Sequence, residues 1–505
     1  MTDLKTLIIY KIFGERYHKV INMKIFIRKS LLSSLYQREE EFPSMKRGLR
    51  GVSPSFPHSG GFAEEKAKRG SGRFSDNDSI LKYSLVILVI LITGLPAAHA
   101  ETLEDAWNIA LSYDHRLQAS RRNVDSSRQI VSAAESARFP VLSFESGYTI
   151  LNNAPAAILD EPMAVLDRIP TAEDKSLSYK TTVNLPLFTS GRISKGIDAA
   201  ISALNTSVQD EIKAMLDLKL HVAEAYISVL RAKRLISVAE TNAESLIAYT
   251  RDVVNFYEQG LVTKNDMLAA QVSLADARQH LTQVLNNLNL ANASYNRLLG
   301  RSLDQQIHIE DLSAEPGKTD FEDLTSRALE KRPELISLSE QALALQYQAS
   351  GIRSSTMPQL AFSGGYSFTQ NKYQVHEDVW SANVGLRWDI FDGGVSRHNA
   401  NALLQKAEAI TEVRKDTASL ISLQVRQASL DIDEAYKRIE VTREAVSQSE
   451  ENLKVAKDRY REGVGTNTEV LDAETLRTRS YSNHYNAIYD AVLANIRLKY
   501  VTGEL

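Results

Sequence analysis

Two long stretches of this chain repeat one another in order, which restricts its fold to two copies of one unit joined head to tail. LEDAWNIAL from Leu103 answers FEDLTSRAL from Phe321, Pro140 answers Pro358, and Gly147-Tyr148 answers Gly365-Tyr366, all at an offset of 218. Farther on the offset is 203, pairing Phe188 with Phe391, Gly191 with Gly394, Tyr257 with Tyr460, Gly260 with Gly463, Leu268 with Leu471 and Gly300 with Gly503. One insertion of fifteen residues reconciles the two values. It falls between Ile150 and Leu177, in NNAPAAILDEPMAVLDRIP, whose prolines argue for an excursion loop.

Each copy reads as helix, strand, loop, strand, a very long helix, a break and another helix. From Ile197 to Gln259, and again from Val395 to Glu462, there is neither Gly nor Pro, and strong helix formers dominate. At 1.5 Å per residue such stretches reach roughly 95 to 100 Å, too long for a compact globule. Apolar positions recur at three and four spacing, as in Leu216, Leu220, Ala223, Tyr226, Ile227 and Leu230, or Leu420, Leu423, Ser429, Ile432 and Ala435. Helices alone would fit an ordinary coiled coil as well as a tunnel wall.

The strands separate those readings. Leu142, Phe144, Tyr148 and Ile150 alternate with polar residues, as do Leu177, Tyr179, Val183, Leu185 and Leu187. Leu360, Phe362, Tyr366 and Phe368 follow the same rule, and so do Trp380, Val384, Leu386, Trp388 and Ile390. Four such segments with aromatics near their ends match membrane barrel strands, with Arg387 and Asp389 facing water inside. Four strands cannot close a barrel, and an open edge in lipid leaves backbone groups unsatisfied, so the pattern requires oligomerisation.

Composition removes other classes. There is no cysteine, hence no disulfide framework, thiolate metal site or acylated cysteine anchor. The ten histidines are scattered, and no GxSxG, phosphate-cradling glycine loop or HExxH occurs, so the reading is of no enzyme, no cofactor and no bound metal. Residues 81–100, LKYSLVILVILITGLPAAHA, have the basic start, short apolar run and small-x-small end of an export signal, with the mature chain starting near Glu101. Residues 1–80, with 15 basic and 9 acidic groups, read as a disordered or mis-assigned extension. Removing them and Lys82 from a net charge of −4 leaves about −11 for the rest, unsuited to a nucleic-acid partner.

In its strand-end turns PLFTSGR (Pro186 to Arg192) and DIFDGG (Asp389 to Gly394), its RPEL at Arg332, and above all YREGVGTNTEVLDAE from Tyr460 with its partner YEQGLVTKNDMLAA from Tyr257, the chain resembles the TolC family of outer-membrane efflux and secretion proteins. The resemblance covers Glu101 to Leu505. It implies an α+β membrane protein, mostly long helices with four transmembrane strands per chain, forming a homotrimer with a 12-stranded β-barrel and a periplasmic α-barrel. It also implies the outer membrane of a Gram-negative bacterium and its lipid, a periplasmic adaptor (membrane fusion protein), and an inner-membrane ABC, RND or MFS-type pump. The units read as repeat 1 over 101–300, with strands about 141–150 and 177–188 and helices about 192–258 and 264–298. A linker follows over 301–320, then repeat 2 over 321–505, with strands about 359–368 and 379–391 and helices about 395–461 and 467–501.

Gly260 and Gly463 can take positive φ and let each long helix reverse. Glu469 and Asp472, three apart, share a helix face beyond the second reversal. By resemblance these two form acidic rings at the tunnel entrance, where divalent ions could plug the pore, and Asp266 and Tyr460 link the gate. Without the resemblance, the acids would simply favour the first turn of a helix. Where the family has a gate arginine this chain has Gly465; Arg459, Arg461 and Lys264 are the candidates to replace it. The lipid face would comprise Leu142, Phe144, Tyr148, Tyr179, Phe362, Tyr366, Trp380 and Trp388. Export of small molecules or proteins is the expected function, and a soluble periplasmic coiled-coil scaffold or adaptor is the alternative. With seven methionines and no metal-binding cluster, the sequence disfavours a dedicated copper or silver exporter. Translation starting at Leu81 would give a compact signal beginning MKYSLV; N-terminal sequencing and intact mass of membrane-extracted protein should then find nothing from residues 1–80, and any such peptide would refute that start.

Overall fold

The computed structural model describes residues 100–158, 168–313 and 321–505, all within one unit spanning 95–505. The extension, all but the last residue of the export signal, and parts of the excursion loop and linker lie outside the described residues.

Repeat one opens with two helices where a single one is expected, α1 (Leu103–Tyr113) and α2 (His115–Ser136). The break is made by Asp114, whose carboxylate accepts from Leu117 N at 2.8 Å and so starts a new helix. Then come β1 (Val141–Ile150), a small hairpin of β2 (Ala156–Ile158) and β3 (Arg168–Pro170) inside the excursion loop, and β4 (Lys175–Phe188). Helices α3 (Arg192–Glu258) and α4 (Lys264–Leu298) complete the copy. Repeat two follows the same order with α5 (Phe321–Lys331), α6 (Pro333–Ser355), β5 (Gln359–Thr369), β6 (Asp378–Arg387), α7 (Val395–Arg461) and α8 (Asn467–Val501). Here Pro333, with no N–H to continue α5, starts α6 instead.

The long helices α3 and α7 have 67 residues each, about 100 Å at 1.5 Å per residue. The shorter α4 and α8, with 35 residues each, pair with the half of the long helix next to the turn. Toward the sheet, α3 packs on α2 and α6, and α7 packs on α6. Where these pairings change over, α1, α3, α4 and α8 share a core around Tyr226, Tyr295, Val222 and Tyr489. Tyr295 donates to the Glu101 carboxylate at 2.7 Å, and Arg301 pairs with the same carboxylate at 2.7 Å, pinning the start of the described chain beside α4.

Strands pair in the antiparallel order β1-β4-β5-β6, so β4 and β5 join the two repeats while β1 and β6 are left as unpaired edges among the described residues. The register aligns parity across all four strands. Leu142 faces Val183, Tyr148 faces Leu177, Tyr179 faces Phe368, Leu185 faces Phe362, and Tyr366 faces Trp380 on one side. Ser143 with Thr182, Glu145 with Lys180, Asn184 with Ser363 and Ser363 with Asn383 occupy the other. At the seam a Cβ on Gly365 would lie 2.1 Å from the Thr181 carbonyl oxygen, whereas its repeat counterpart Gly147 has room. The two glycines match in sequence, but contact between the repeats requires only the second.

Strand β6 ends at Arg387, four residues before the expected 391. Its partner β5 begins at Gln359, after Pro358, which has no N–H to extend the ladder. Arg387 instead bends onto Asp389, with contacts of 3.2 and 3.1 Å, and Trp388 lies beyond the strand. Each second strand then turns into its long helix through a left-handed glycine, Gly191 at φ 88° and Gly394 at φ 87°.

Candidate functional site

The two helix reversals sit together at the end of the helices away from the sheet, with Tyr249, Val253, Ala270, Leu453, Val470 and Ala473 as their shared core. Each is built alike. Gly260 at φ 74° donates to Tyr257 O at 2.9 Å and Leu261 to Phe256 O at 2.8 Å; Gly463, also at φ 74°, donates to Tyr460 O at 3.1 Å and Val464 to Arg459 O at 3.0 Å. These bonds satisfy the last carbonyls of α3 and α7 while the chain reverses.

The next helices start differently in the two copies. Thr263 and Asp266 form a full capping box: Thr263 N and Oγ1 donate to Asp266 Oδ2 at 3.1 and 2.7 Å, and Asp266 N donates back at 3.2 Å. Asp266 is thus committed to its own turn, and no direct bond joins it to Tyr460 among the described residues. In the second copy Thr466 accepts from Glu469 N at 3.2 Å, but the Glu469 carboxylate does not close the box. Glu469 and Asp472 are both exposed near the start of α8, leaving two carboxylates open to solvent beside the turn.

Tyr460 packs its ring against Tyr249 at 5.6 Å and Phe256 at 6.2 Å, so a repeat-two side chain lies against the repeat-one helix. Burial, followed by the nearby charge of Asp266, raises its phenol above the ordinary tyrosine range, so it stays neutral at any physiological pH. Of the candidate cations, Arg459 reaches back to Val464 O at 3.3 Å inside its own turn, and Arg461 extends toward Asp252 on α3 at 3.9 Å. A Cβ on Gly465 would meet Arg459 Cβ and Tyr460 N at 3.0 Å. The tight turn therefore leaves little room for a side chain at 465.

Two features of this region escape a reading of exposed motifs. Buried Asn467 joins the repeats: its Oδ1 accepts from Tyr249 OH at 2.6 Å, and its Nδ2 donates to Asp266 O at 3.2 Å. Glu474, fully buried at 1% exposure, pairs with Lys457 at 2.6 Å. Both lie on the inward stripe of α8 with Val470 and Ala473, a polar residue at an apolar position being the one signal the sequence offered.

At the other end, the apolar side of the sheet is open along its edge strands, where Leu142 is 70% and Trp380 78% exposed and Phe144, Tyr148, Val384 and Leu386 are similarly open, while Tyr179, Phe362 and Tyr366 on the inner strands are half-buried. Tyr179, Tyr366, Phe368 and Trp380 form a run of ring contacts along it. Leu420 and Leu423, expected in a helix-packing stripe, instead point outward with Val413 and Leu430 along α7, Leu423 being 62% exposed.

The family model for outer membrane efflux proteins matches residues 107–301 and 324–504, one segment in each repeat. Alkaline protease secretion protein AprF of Pseudomonas aeruginosa is 23% identical over 439 residues, covering 81% of this chain and 85% of that protein. Outer membrane protein TolC of Vibrio cholerae is 21% identical over 435 residues, covering 83% and 95%. Among solved structures, the outer-membrane channel OprN superposes with TM-score 0.67 at 18% identity, covering 80% of this chain and 90% of that one. CusC superposes with TM-score 0.69 at 15% identity, covering 80% and 92%.

Replacing Asn467 by Ala would leave the Tyr249 hydroxyl buried without its acceptor, at a cost of about 1 to 3 kcal/mol. Amide exchange through residues 263–270 should quicken in Asn467→Ala while exchange in the core around Tyr226 stays unchanged; equal effects in both regions would contradict a local link.

Proposed function

Because this chain belongs to the outer membrane efflux protein family, and is therefore an outer-membrane efflux channel, we propose that it works as a passive homotrimer that carries cargo from an inner-membrane pump through one barrel and tunnel. The observation that carries the trimer is the bare sheet. A soluble protein does not leave a contiguous apolar face this large in water, and neither water nor lipid would stably accept it with both edges unpaired. Joining β6 of one copy to β1 of the next satisfies both edges, and three copies give the twelve strands of the family's barrel. The outward apolar stripe of α7 supplies a matching contact between neighbouring helices.

In this reading Leu142, Phe144, Tyr148, Tyr179, Phe362, Tyr366, Trp380 and Trp388 contact lipid, and the face carrying Glu145, Lys180 and Asn383 lines water. The reversals at Gly260 and Gly463 form the inner mouth. Glu469 and Asp472 from each of three chains put six carboxylates around it, attracting cations toward the aperture. No group of three or more metal-ligating side chains comes together within one chain among the described residues, so a divalent plug would draw its ligands from several copies. Opening is an iris-like movement of α7 and α8 near the turns, driven by a periplasmic adaptor and an ABC, RND or MFS-type pump.

Cargo divides into two classes. AprF is named for protease secretion, which favours protein export through type I machinery; OprJ and OpmQ of Pseudomonas aeruginosa, also similar to this chain, include a pyoverdine exporter, which favours small molecules. A soluble periplasmic scaffold would share the helices but has no use for the bare aromatic face, and it would leave the cell without detergent.

In planar bilayers, micromolar to millimolar divalent cations should block wild-type current, and Glu469→Ala with Asp472→Ala should raise the blocking concentration about tenfold or more. Equal block in wild type and variant would remove these carboxylates from the aperture.

A further inference from the structure

We propose that Ser245, Lys457 and Glu474 form a clasp that holds the repeat-one helix α3 to the α7–α8 pair and so keeps the channel shut. The proposal rests on the trimeric channel reading above and adds to it Glu474, the last residue of the turn motif, with Ser245 and Lys457 from outside that motif.

The geometry is that of a small buried network. Glu474 on α8 pairs through Oε1 with Lys457 on α7 at 2.6 Å. Ser245 on α3 completes the triangle: its hydroxyl donates to Glu474 Oε1, and it accepts from Lys457 Nζ at 2.8 Å. Arg477 adds a more distant positive charge at 3.6 Å from Oε2. Glu474 is closed from solvent and Lys457 is only 24% exposed, so these bonds work where water competes poorly.

Lys457 and Glu474 sit on helices that pack against each other, and their ion pair can travel with that pair. Ser245 is the member from the other repeat. If α7 and α8 swing outward to carry Glu469 and Asp472 off the axis, α8 must slide over α3. The serine hydroxyl then parts from both charges, and a buried carboxylate loses a donor before water can replace it. The cost falls on the open state, and three chains impose it three times.

The clasp is also absent from the repeat symmetry. The counterparts of Ser245, Lys457, Glu474 and Arg477 are Gln448, Val254, Gln271 and Leu274. Folding of the repeat unit therefore does not require it.

The test uses full-length protein in planar bilayers, comparing wild type with Ser245→Ala and Ser245→Thr. Alanine removes the hydroxyl but leaves the ion pair intact; threonine restores it. Ser245→Ala should raise open probability about tenfold, and Ser245→Thr should remain close to wild type. A wild-type open probability in the alanine variant, or equal opening in both variants, would overturn the clasp while leaving the channel intact. Wild-type protein that forms no pore would overturn the channel reading and the clasp with it.

Discussion

Everything in this molecule answers to the unpaired backbone at the two edges of a four-stranded sheet. A strand edge carries a row of N–H and C=O groups, and in hydrocarbon each one left alone costs several kcal/mol. Strands β1 and β6 expose such rows on a sheet whose apolar side is already bare. In the proposed trimer each row finds its partners on a neighbouring chain. The helices inherit that constraint, because β4 and β6 lead through left-handed glycines directly into α3 and α7 and fix where each helix begins relative to the sheet.

Duplication makes closure economical and also sets where symmetry must fail. Both repeats supply two strands and one helix of 67 residues, so the wall is built from similar pieces. They must still meet each other, and those contacts are where matched positions diverge. Gly365 is indispensable against Thr181 where Gly147 is not. Asp266 is bound in its capping box where the Glu469 carboxylate closes none, and Asn467 stands opposite Lys264 because only the second turn carries the link between repeats. Glu469, Asp472 and the clasp residues proposed for the gate lie at these departures, where only one copy carries them.

The fold class was legible because its signals are periodic. Alternation over ten residues identifies strands whichever partner they have, and uninterrupted runs without Gly or Pro identify the two long helices. Less was legible where a partner decides the outcome. The end of β6 depends on Pro358 in another strand, and the break at Asp114 on a cap that competes with continuing the helix. Leu420 and Leu423 look like core by spacing, yet one chain leaves them facing outward, because periodicity records that a face is apolar without saying what covers it. At the turns, glycines and exposed acids announce themselves in the motif. Asn467, Ser245 and Glu474 do not, since a buried polar side chain is defined by the groups that satisfy it, and each of these has a partner on a helix more than two hundred residues away.

Closure of the sheet between chains is the claim on which the rest depends, and the absence of cysteine from the natural sequence makes it directly measurable. Cysteine placed at Ser143 on β1, combined in turn with cysteine at Ser381, Asn383 or Gly385 on β6, should cross-link under oxidation in intact outer membranes for at least one combination. The products on a non-reducing gel should be dimers and trimers, with nothing larger. Failure of every β1–β6 combination to cross-link between chains, or a ladder that continues past the trimer, would contradict the closed three-chain barrel.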